Sequence, residues 1–319
     1  MNRTVRAERW PIAGTFTIAR GAKTEAEVVV VELVDGAHVG RGECVPYARY
    51  GETTASVIAA IDEERALDRR SLTARGAARS ALDLALWDLE AKRTGRGVAE
   101  LAGLDVPAPF VTATTISIDT PEHMASAARA LDRPLLKLKL AGDGADLDRV
   151  RAVRDAAPRA MLWVDANEGW DATTYDALAP RLAALGVALL EQPLPAAHDH
   201  ALRGRARPIP ICADESAHDA HTIASLADRY DAVNVKLDKA GGLTGAIATI
   251  DAARAAGLRV ALGCMVCTSL AIAPACLLVS RADWIDLDGS ILLARDREGG
   301  ARFEAGRLVP PSRALWGAG

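Results

Sequence analysis

Cysteine and aromatic residues are scarce in this chain of 319 residues, with five Cys and an aromatic share of 4%. A sparse, odd set of cysteines excludes a secreted disulfide framework as the organising device. Few aromatic rings leave few platforms for stacking bases. Nor is there a basic excess, since 38 Lys+Arg stand against 42 Asp+Glu for a formal charge of −4. Both facts argue against nucleic acid as a partner. Long apolar runs are missing too. The stretch Val260–Ser280 carries no charge between Arg259 and Arg281, but Gly263, Thr268, Ser269 and Pro274 interrupt it. It reads as a strand, a turn and a helix start, not as a membrane span. The opening segment holds Arg3, Arg6 and Arg9 and no apolar targeting core. The expectation is a cytoplasmic protein with no membrane partner.

What is present is the balance of a soluble globular protein, half apolar and a quarter charged. At roughly 150 residues per domain the length favours two domains. In the first hundred residues, the β-branched run Glu27–Val34 leads through Asp35-Gly36, read as a hairpin turn, into His38–Cys44. A helical pattern over Ala77–Lys92 follows, with Gly95 just beyond its end. This is the texture of an α+β domain, and Pro107 and Pro109 mark its boundary.

Beyond Pro109 short apolar strands alternate with alanine-rich helices. Eight strands are expected: Val111–Ile118, Leu135–Leu140, Met161–Asp165, Val187–Glu191, Ile209–Asp214, Ala232–Lys236, Arg259–Cys264 and Asp283–Asp288. Eight βα units close into a barrel, and no glycine-rich nucleotide fingerprint follows the first strand to favour an open sheet. The expected fold is therefore α/β, a (β/α)7β TIM-like barrel under an N-terminal α+β cap. Residues 1–107 form the cap, 108–295 the barrel, and 296–319 pack back to complete the cap.

The residues closing successive strands are Lys139, Asp165, Glu191, Asp214, Lys236, Cys264 and Asp286, at intervals of 26, 26, 23, 22, 28 and 22. Nearly all carry charge, and in a barrel these ends converge on the catalytic rim. Asp165, Glu191 and Asp214 come from three successive strands. Each alone could cap the helix after it. Three in phase would repel one another unless a cation lay between them, and an all-carboxylate set suits Mg²⁺. Lys137 and Lys139 share one face of their strand, while Leu136, Leu138 and Leu140 take the other. That alternation sends both lysines inward, where burial is expected to lower the pKa of at least one. Lys236 enters from across the barrel. Two lysines on opposite sides of one carbon could remove and return a proton.

Taken together, K-L-K (Lys137, Lys139), V-D-A-N (Asp165, Asn167), E-Q-P-L (Glu191), A-D-E-S (Asp214) and V-K-L-D-K-A-G-G (Lys236) resemble the enolase superfamily, muconate-lactonising subgroup. The likeness runs over nearly the whole chain. D-L-D-G (Asp286, Asp288), G-C-M-V-C-T-S (Cys264, Met265), I-A-R-G near residue 20 and P-Y-A-R-Y-G-E near residue 50 resemble the dipeptide epimerases within it.

This resemblance implies Mg²⁺ on Asp165, Glu191 and Asp214, with Lys139 and Lys236 as the acid/base pair and Lys137 adding positive charge. The small substrate would be a dipeptide, most simply L-Ala-D-Glu, epimerised at its C-terminal residue through an enediolate. Asp286 and Asp288 would grip its ammonium group, unless they are a helix cap and a solvated turn. Arg20, with Lys23, would meet a glutamate carboxylate, the alternative being ordinary surface cations. Thr115, Cys264 and Met265 would line the pocket, although Thr115 also suits simple strand filling.

Salvage of cell-wall peptides and a possible homo-oligomer belong to the same expectation. Two alternatives remain at this stage. One is an o-succinylbenzoate synthase or muconate cycloisomerase, which shares the metal and lysines but has no use for two aspartates facing an amine. The other is a barrel that binds acidic peptides without turnover. His198 and His200 read as solvated loop residues, and Cys264/Cys267 lack the partners of a zinc site.

Overall fold

The computed structural model describes residues 1–318. The chain begins with an antiparallel sheet of β1 (Asn2–Ile18), β2 (Gly21–Asp35) and β3 (His38–Cys44), in that order. Valines fill the centre of β2 because both of its faces are buried. Val29 and Val31 pack with the cap helices, while Val28 and Val30 join the core shared with the barrel. The β2–β3 turn is Gly36-Ala37, one residue later than expected, with Asp35 opposite His38 and Gly36 at φ +60°. The long strand β1 was not anticipated. Its charged residues, Arg3, Arg6, Glu8 and Arg9, follow no two-residue alternation, and pairing with β2 is what defines it.

Three helices follow: α1 (Thr54–Glu63), α2 (Gly76–Thr94) and α3 (Val98–Ala102). The α2 helix lies so close on β3 that a Cβ at Gly40 or Gly42 would come within 2.2 or 2.0 Å of a helix carbonyl oxygen. Only glycine fits there.

The barrel strands are β4 (Thr114–Ile116), β5 (Leu135–Lys139), β6 (Met161–Asp165), β7 (Val187–Glu191), β8 (Ile211–Ala213), β9 (Ala232–Val235), β10 (Arg259–Gly263) and β11 (Trp284–Asp286). They pair in parallel in chain order. The amide of Ala113 donates to the carbonyl of Ile285 at 2.8 Å and draws the first and eighth strands together. Several ladders are shorter than the expected runs. Val111–Ile118, Ile209–Asp214 and Asp283–Asp288 each shrink to three paired residues, losing residues at both ends. Asp288 thus lies past the end of its strand.

Helices α4 (Pro121–Leu131), α5 (Asp146–Ala156), α6 (Ala172–Ala184), α7 (Ala220–Ile223), α8 (Leu237–Ala240), α9 (Gly242–Ala255) and α10 (Ser269–Cys276) connect the strands. After β11, a small hairpin of β12 (Arg302–Glu304) and β13 (Arg307–Val309) returns the chain to the cap. Trp316 Nε1 donates to the carbonyl of Arg41, and the Gly317 amide to Asp88 Oδ1. Among the described residues, no helix is long and apolar enough to cross a membrane.

The cap also roofs the barrel. The β1–β2 hairpin is tied to the first strand's loop by the Ile118 amide on the Thr17 carbonyl, and to the eighth strand's loop by Ala13 on Leu292. Its tip therefore lies at the C-terminal rim, where the charged residues gather.

Candidate active site

A cleft of about 960 Å³ opens between the cap and the barrel rim. Lys137, Lys139, Asp214, Lys236, Asp286 and Asp288 line its floor. Arg20, Lys23, Thr115, Cys264 and Met265 line it as well. Every residue proposed from the sequence therefore lies at or beneath one cleft. Asp165 and Glu191, both fully buried, lie under the lysines.

On β5 the leucine and lysine faces separate as expected. Leu136, Leu138 and Leu140 are buried in the outer core, while Lys137 stands over the ring of Trp163 at 4.6 Å. Its Nζ lies 2.7 Å from both Glu191 Oε2 and Asp286 Oδ2. Lys139 Nζ lies 2.6 Å from Asp165 Oδ2, and Lys236 Nζ 2.7 Å from Asp214 Oδ2. Because β5 and β9 are four strands apart in an eight-stranded ring, Lys139 and Lys236 approach from opposite walls.

The expected depression of a lysine pKa does not occur at Lys137, and Lys236 is raised as well. Burial pulls both ammonium groups down, but neighbouring carboxylates outweigh it and hold both well above the usual range. Asp286 and Glu191 act on Lys137, and Asp214 and Glu191 on Lys236. The acids respond unequally. Burial raises Asp214, yet Lys236 and Lys239 hold it well below the carboxylate range. Burial and the nearby Asp165 push Glu191 up to about 7.

Asp165, Glu191 and Asp214 each offer one oxygen, and these atoms lie within 4.8 Å of one another. Glu191 Oε2 is buried and has no well-aligned hydrogen bond despite its nearness to Lys137. Three converging hard oxygens, one of them unsatisfied, fit a divalent cation such as Mg²⁺.

Asp286 and Asp288 meet the same test for a cationic ligand. Asp286 Oδ2 accepts from Lys137 Nζ, and its Oδ1 is buried without a hydrogen-bond partner. Asp288 Oδ2 accepts from the Thr115 amide at 2.6 Å, which gives Thr115 a backbone role. Burial and Asp286 push Asp288 up to about 7.

Arg20 is more committed than the sequence indicated. Its guanidinium donates to Glu215 Oε1 at 2.6 Å, to the Asn167 carbonyl at 2.9 Å and to the Tyr47 hydroxyl at 2.9 Å. Lys23, exposed at the cleft wall, lies 5.8 Å from the Tyr47 ring centroid. Cys264 is half-buried at the cleft and Cys267 is buried beneath it. All five cysteines are free thiols.

Several residues escaped the sequence reading. Lys239, fully buried, donates to Asp214 Oδ1 at 2.6 Å and to the carbonyls of Asp214 and Asn234. Its only signal was its place three residues after Lys236, one helical turn on. Asn234 Nδ2 donates to Glu191 Oε1 at 2.8 Å. Glu168 accepts two bonds of 2.6 Å from Arg49, a second clamp between cap and rim. Asn167 and Glu168 both have positive φ, 45° and 68°, so the loop after β6 holds strain where it meets Arg20 and Arg49.

Two family models cover most of the chain. "Mandelate racemase / muconate lactonizing enzyme, N-terminal domain" matches residues 1–103, and "Enolase C-terminal domain-like" matches residues 122–318. An L-Ala-D/L-Glu epimerase of Escherichia coli (strain K12) is 48% identical over 96% of this chain and 99% of its own. An enolase family member from Agrobacterium tumefaciens with homology to dipeptide epimerases, solved with bound sodium and L-Ala-L-Glu, superposes with a TM-score of 0.95. It is 44% identical and covers 99% of both chains. A dipeptide epimerase from Methylococcus capsulatus, solved with Mg and L-Arg-D-Lys, is 33% identical. Its TM-score is 0.89, over 100% of this chain and 98% of that one.

Proposed function

The chain belongs to the enolase superfamily, and from that premise we propose that it epimerises dipeptides at the C-terminal residue, interconverting L-Ala-D-Glu and L-Ala-L-Glu. It is an isomerase, and its cofactor is Mg²⁺. The observation that carries the reading is the pair Lys139 and Lys236, each 2.6–2.7 Å from a different carboxylate of one buried cluster and reaching it from opposite walls.

Asp165, Glu191 and Asp214 would hold the metal. When bound there, Mg²⁺ supplies electrostatic stabilisation to the negative charge that spreads onto the substrate carboxylate as the α-proton leaves. Lys137 adds a second positive charge beside that carboxylate. One of Lys139 and Lys236 takes the proton from Cα as a neutral amine. The other, as an ammonium, returns one to the opposite face, which inverts the centre. Asp286 Oδ1 and Asp288 receive the dipeptide's ammonium. A ligand without an amine would leave both carboxylates unanswered, which disfavours the lyase alternative. Arg20 and Lys23 present positive charge to the glutamate side chain, and Cys264 and Met265 bound the pocket.

The same reading keeps residues 1–107 with 296–319 as the cap and 108–295 as the catalytic barrel. A cytoplasmic setting is supported by five unpaired thiols. The test is deuterium exchange. Incubated with Mg²⁺ and L-Ala-L-Glu in D₂O, the enzyme is expected to place deuterium at the glutamate α-carbon and yield the D-epimer. Retention of the α-proton in a protein that binds the dipeptide would overturn the proposal.

A further inference from the structure

The three carboxylates assigned to the cation divide their oxygens in one pattern. Asp165 Oδ1 accepts from the Asn167 amide at 2.9 Å, Glu191 Oε1 from Asn234 Nδ2 at 2.8 Å, and Asp214 Oδ1 from Lys239 Nζ at 2.6 Å. The remaining oxygens, Asp165 Oδ2, Glu191 Oε2 and Asp214 Oδ2, lie 2.6–2.7 Å from Lys139, Lys137 and Lys236. One oxygen of each acid is thus tied to a donor behind it, and the other faces the active-site lysines.

These donors are themselves fixed. Lys239 is buried and also donates to the Asp214 and Asn234 carbonyls, so it ties the ends of β8 and β9 to each other. Asn234 is buried on β9. The Asn167 amide is aimed by the left-handed turn after β6.

A carboxylate with one oxygen engaged from behind is oriented to present the other to a metal, which disfavours two-oxygen ligation. Mg²⁺ accepts this well, since it needs a compact octahedron at roughly 2.0–2.1 Å and keeps places for water or substrate. Ca²⁺ takes about 6–8 oxygens at longer distances and gains from two-oxygen carboxylate contacts. We propose that Lys239 and Asn234 are positioning residues that hold Asp214 and Glu191 to one-oxygen ligation and so set the preference of the site for Mg²⁺ over Ca²⁺. The inference rests on the reading that Asp165, Glu191 and Asp214 hold the cation.

The test uses metal alone, without dipeptide. Calorimetric titrations of the chelator-treated full chain with Mg²⁺ and with Ca²⁺ compare wild type, Lys239→Met and Asn234→Ala. Loss of a donor behind a ligand is expected to weaken Mg²⁺ by about 10–100-fold. Ca²⁺ binding should fall far less, so the Mg²⁺/Ca²⁺ affinity ratio should drop about tenfold or more in each variant. A purely electrostatic role for Lys239 gives the opposite sign, because removing a cation would tighten both metals in Lys239→Met. That result, or equal weakening of both metals, overturns the inference. Asn234→Ala leaves the charge unchanged and keeps the question answerable should Lys239→Met not fold. Wild type that binds neither metal would instead remove the metal reading itself.

Discussion

Lys139 and Lys236 face one buried acid cluster from β5 and β9, with Nζ 2.6 Å from Asp165 Oδ2 and 2.7 Å from Asp214 Oδ2. Opposite placement predicts unequal loss. Lys139→Ala and Lys236→Ala should each reduce epimerisation by about 10²–10⁴-fold. Each variant should still exchange the α-proton of only one epimer with solvent, because the surviving lysine addresses one face of the carbon. Proton NMR of L-Ala-L-Glu and L-Ala-D-Glu, incubated separately in D₂O, reads both quantities. Equal residual exchange of both epimers in either variant would contradict the assignment.

Asp288 gives a prediction about pH. Burial and its neighbour Asp286 push its carboxyl up to about 7. Below that value it is neutral and offers less to a substrate ammonium, so kcat/KM should rise as pH increases through about 7. Asp288→Asn should flatten this limb and raise KM by about tenfold or more, since charged hydrogen bonds contribute roughly 1.5–3 kcal/mol. Measuring kcat/KM from pH 5.5 to 8.5 for both proteins checks it. An unchanged limb in the variant would assign the titration to another group.

The barrel was legible because its pattern is local. Alternation on β5 placed Lys137 and Lys139 inside, and the spacing of strand-end charges placed Asp165, Glu191 and Asp214 on one rim. Strand lengths were less legible, since pairing with β5, not composition, sets the ladder at Thr114–Ile116. Strand β1 was hidden because its charged residues, Arg3, Arg6, Glu8 and Arg9, show no two-residue alternation, and only pairing with β2 makes it a strand. Lys239 was hidden for a related reason. That it reaches Asp214 instead of solvent depends on how α8 sits against β8 and β9. The depression of pKa expected of the buried lysines is absent at Lys137, because burial was weighed without Asp286 and Glu191, which pair with it.

Arg20 and Glu215 predict a coupling between cap and barrel. Glu215 is 1% exposed and Arg20 28% exposed at the side chain, with a 2.6 Å bond between them. Arg20→Met would leave a buried acid unpaired. Breaking a buried pair costs about 3–5 kcal/mol, and the partial exposure of Arg20 brings the expected loss to about 1–3 kcal/mol. KM for L-Ala-L-Glu should rise more than KM for L-Ala-L-Ala, whose side chain has no carboxylate. Thermal melting and the two KM values separate these effects. A variant with wild-type melting and no change in the KM ratio would show that Arg20 does neither task.

Asp238 connects the catalytic rim to folding stability. It follows Lys236 by two residues, is buried against the cap, and accepts the Val45 amide at 2.9 Å. Burial, aided by the charges of Glu52 and Glu43, pushes its carboxyl up to about 7, with Val45 and Lys236 opposing. An aspartate in the unfolded chain titrates near ~3.9. Between roughly pH 4 and 7 the folded protein therefore keeps a proton that the unfolded chain has released. Fewer protons on the unfolded state make this contribution to stability fall as pH rises, by at most about 1.4 kcal/mol per pH unit. Asp238→Asn keeps an acceptor for Val45 and removes the titration. Its stability relative to wild type should climb from pH 4 to 7 and level off above, as read from urea midpoints at each pH. A difference that stays constant across that range would mean Asp238 ionises in the folded protein as it does in the unfolded chain.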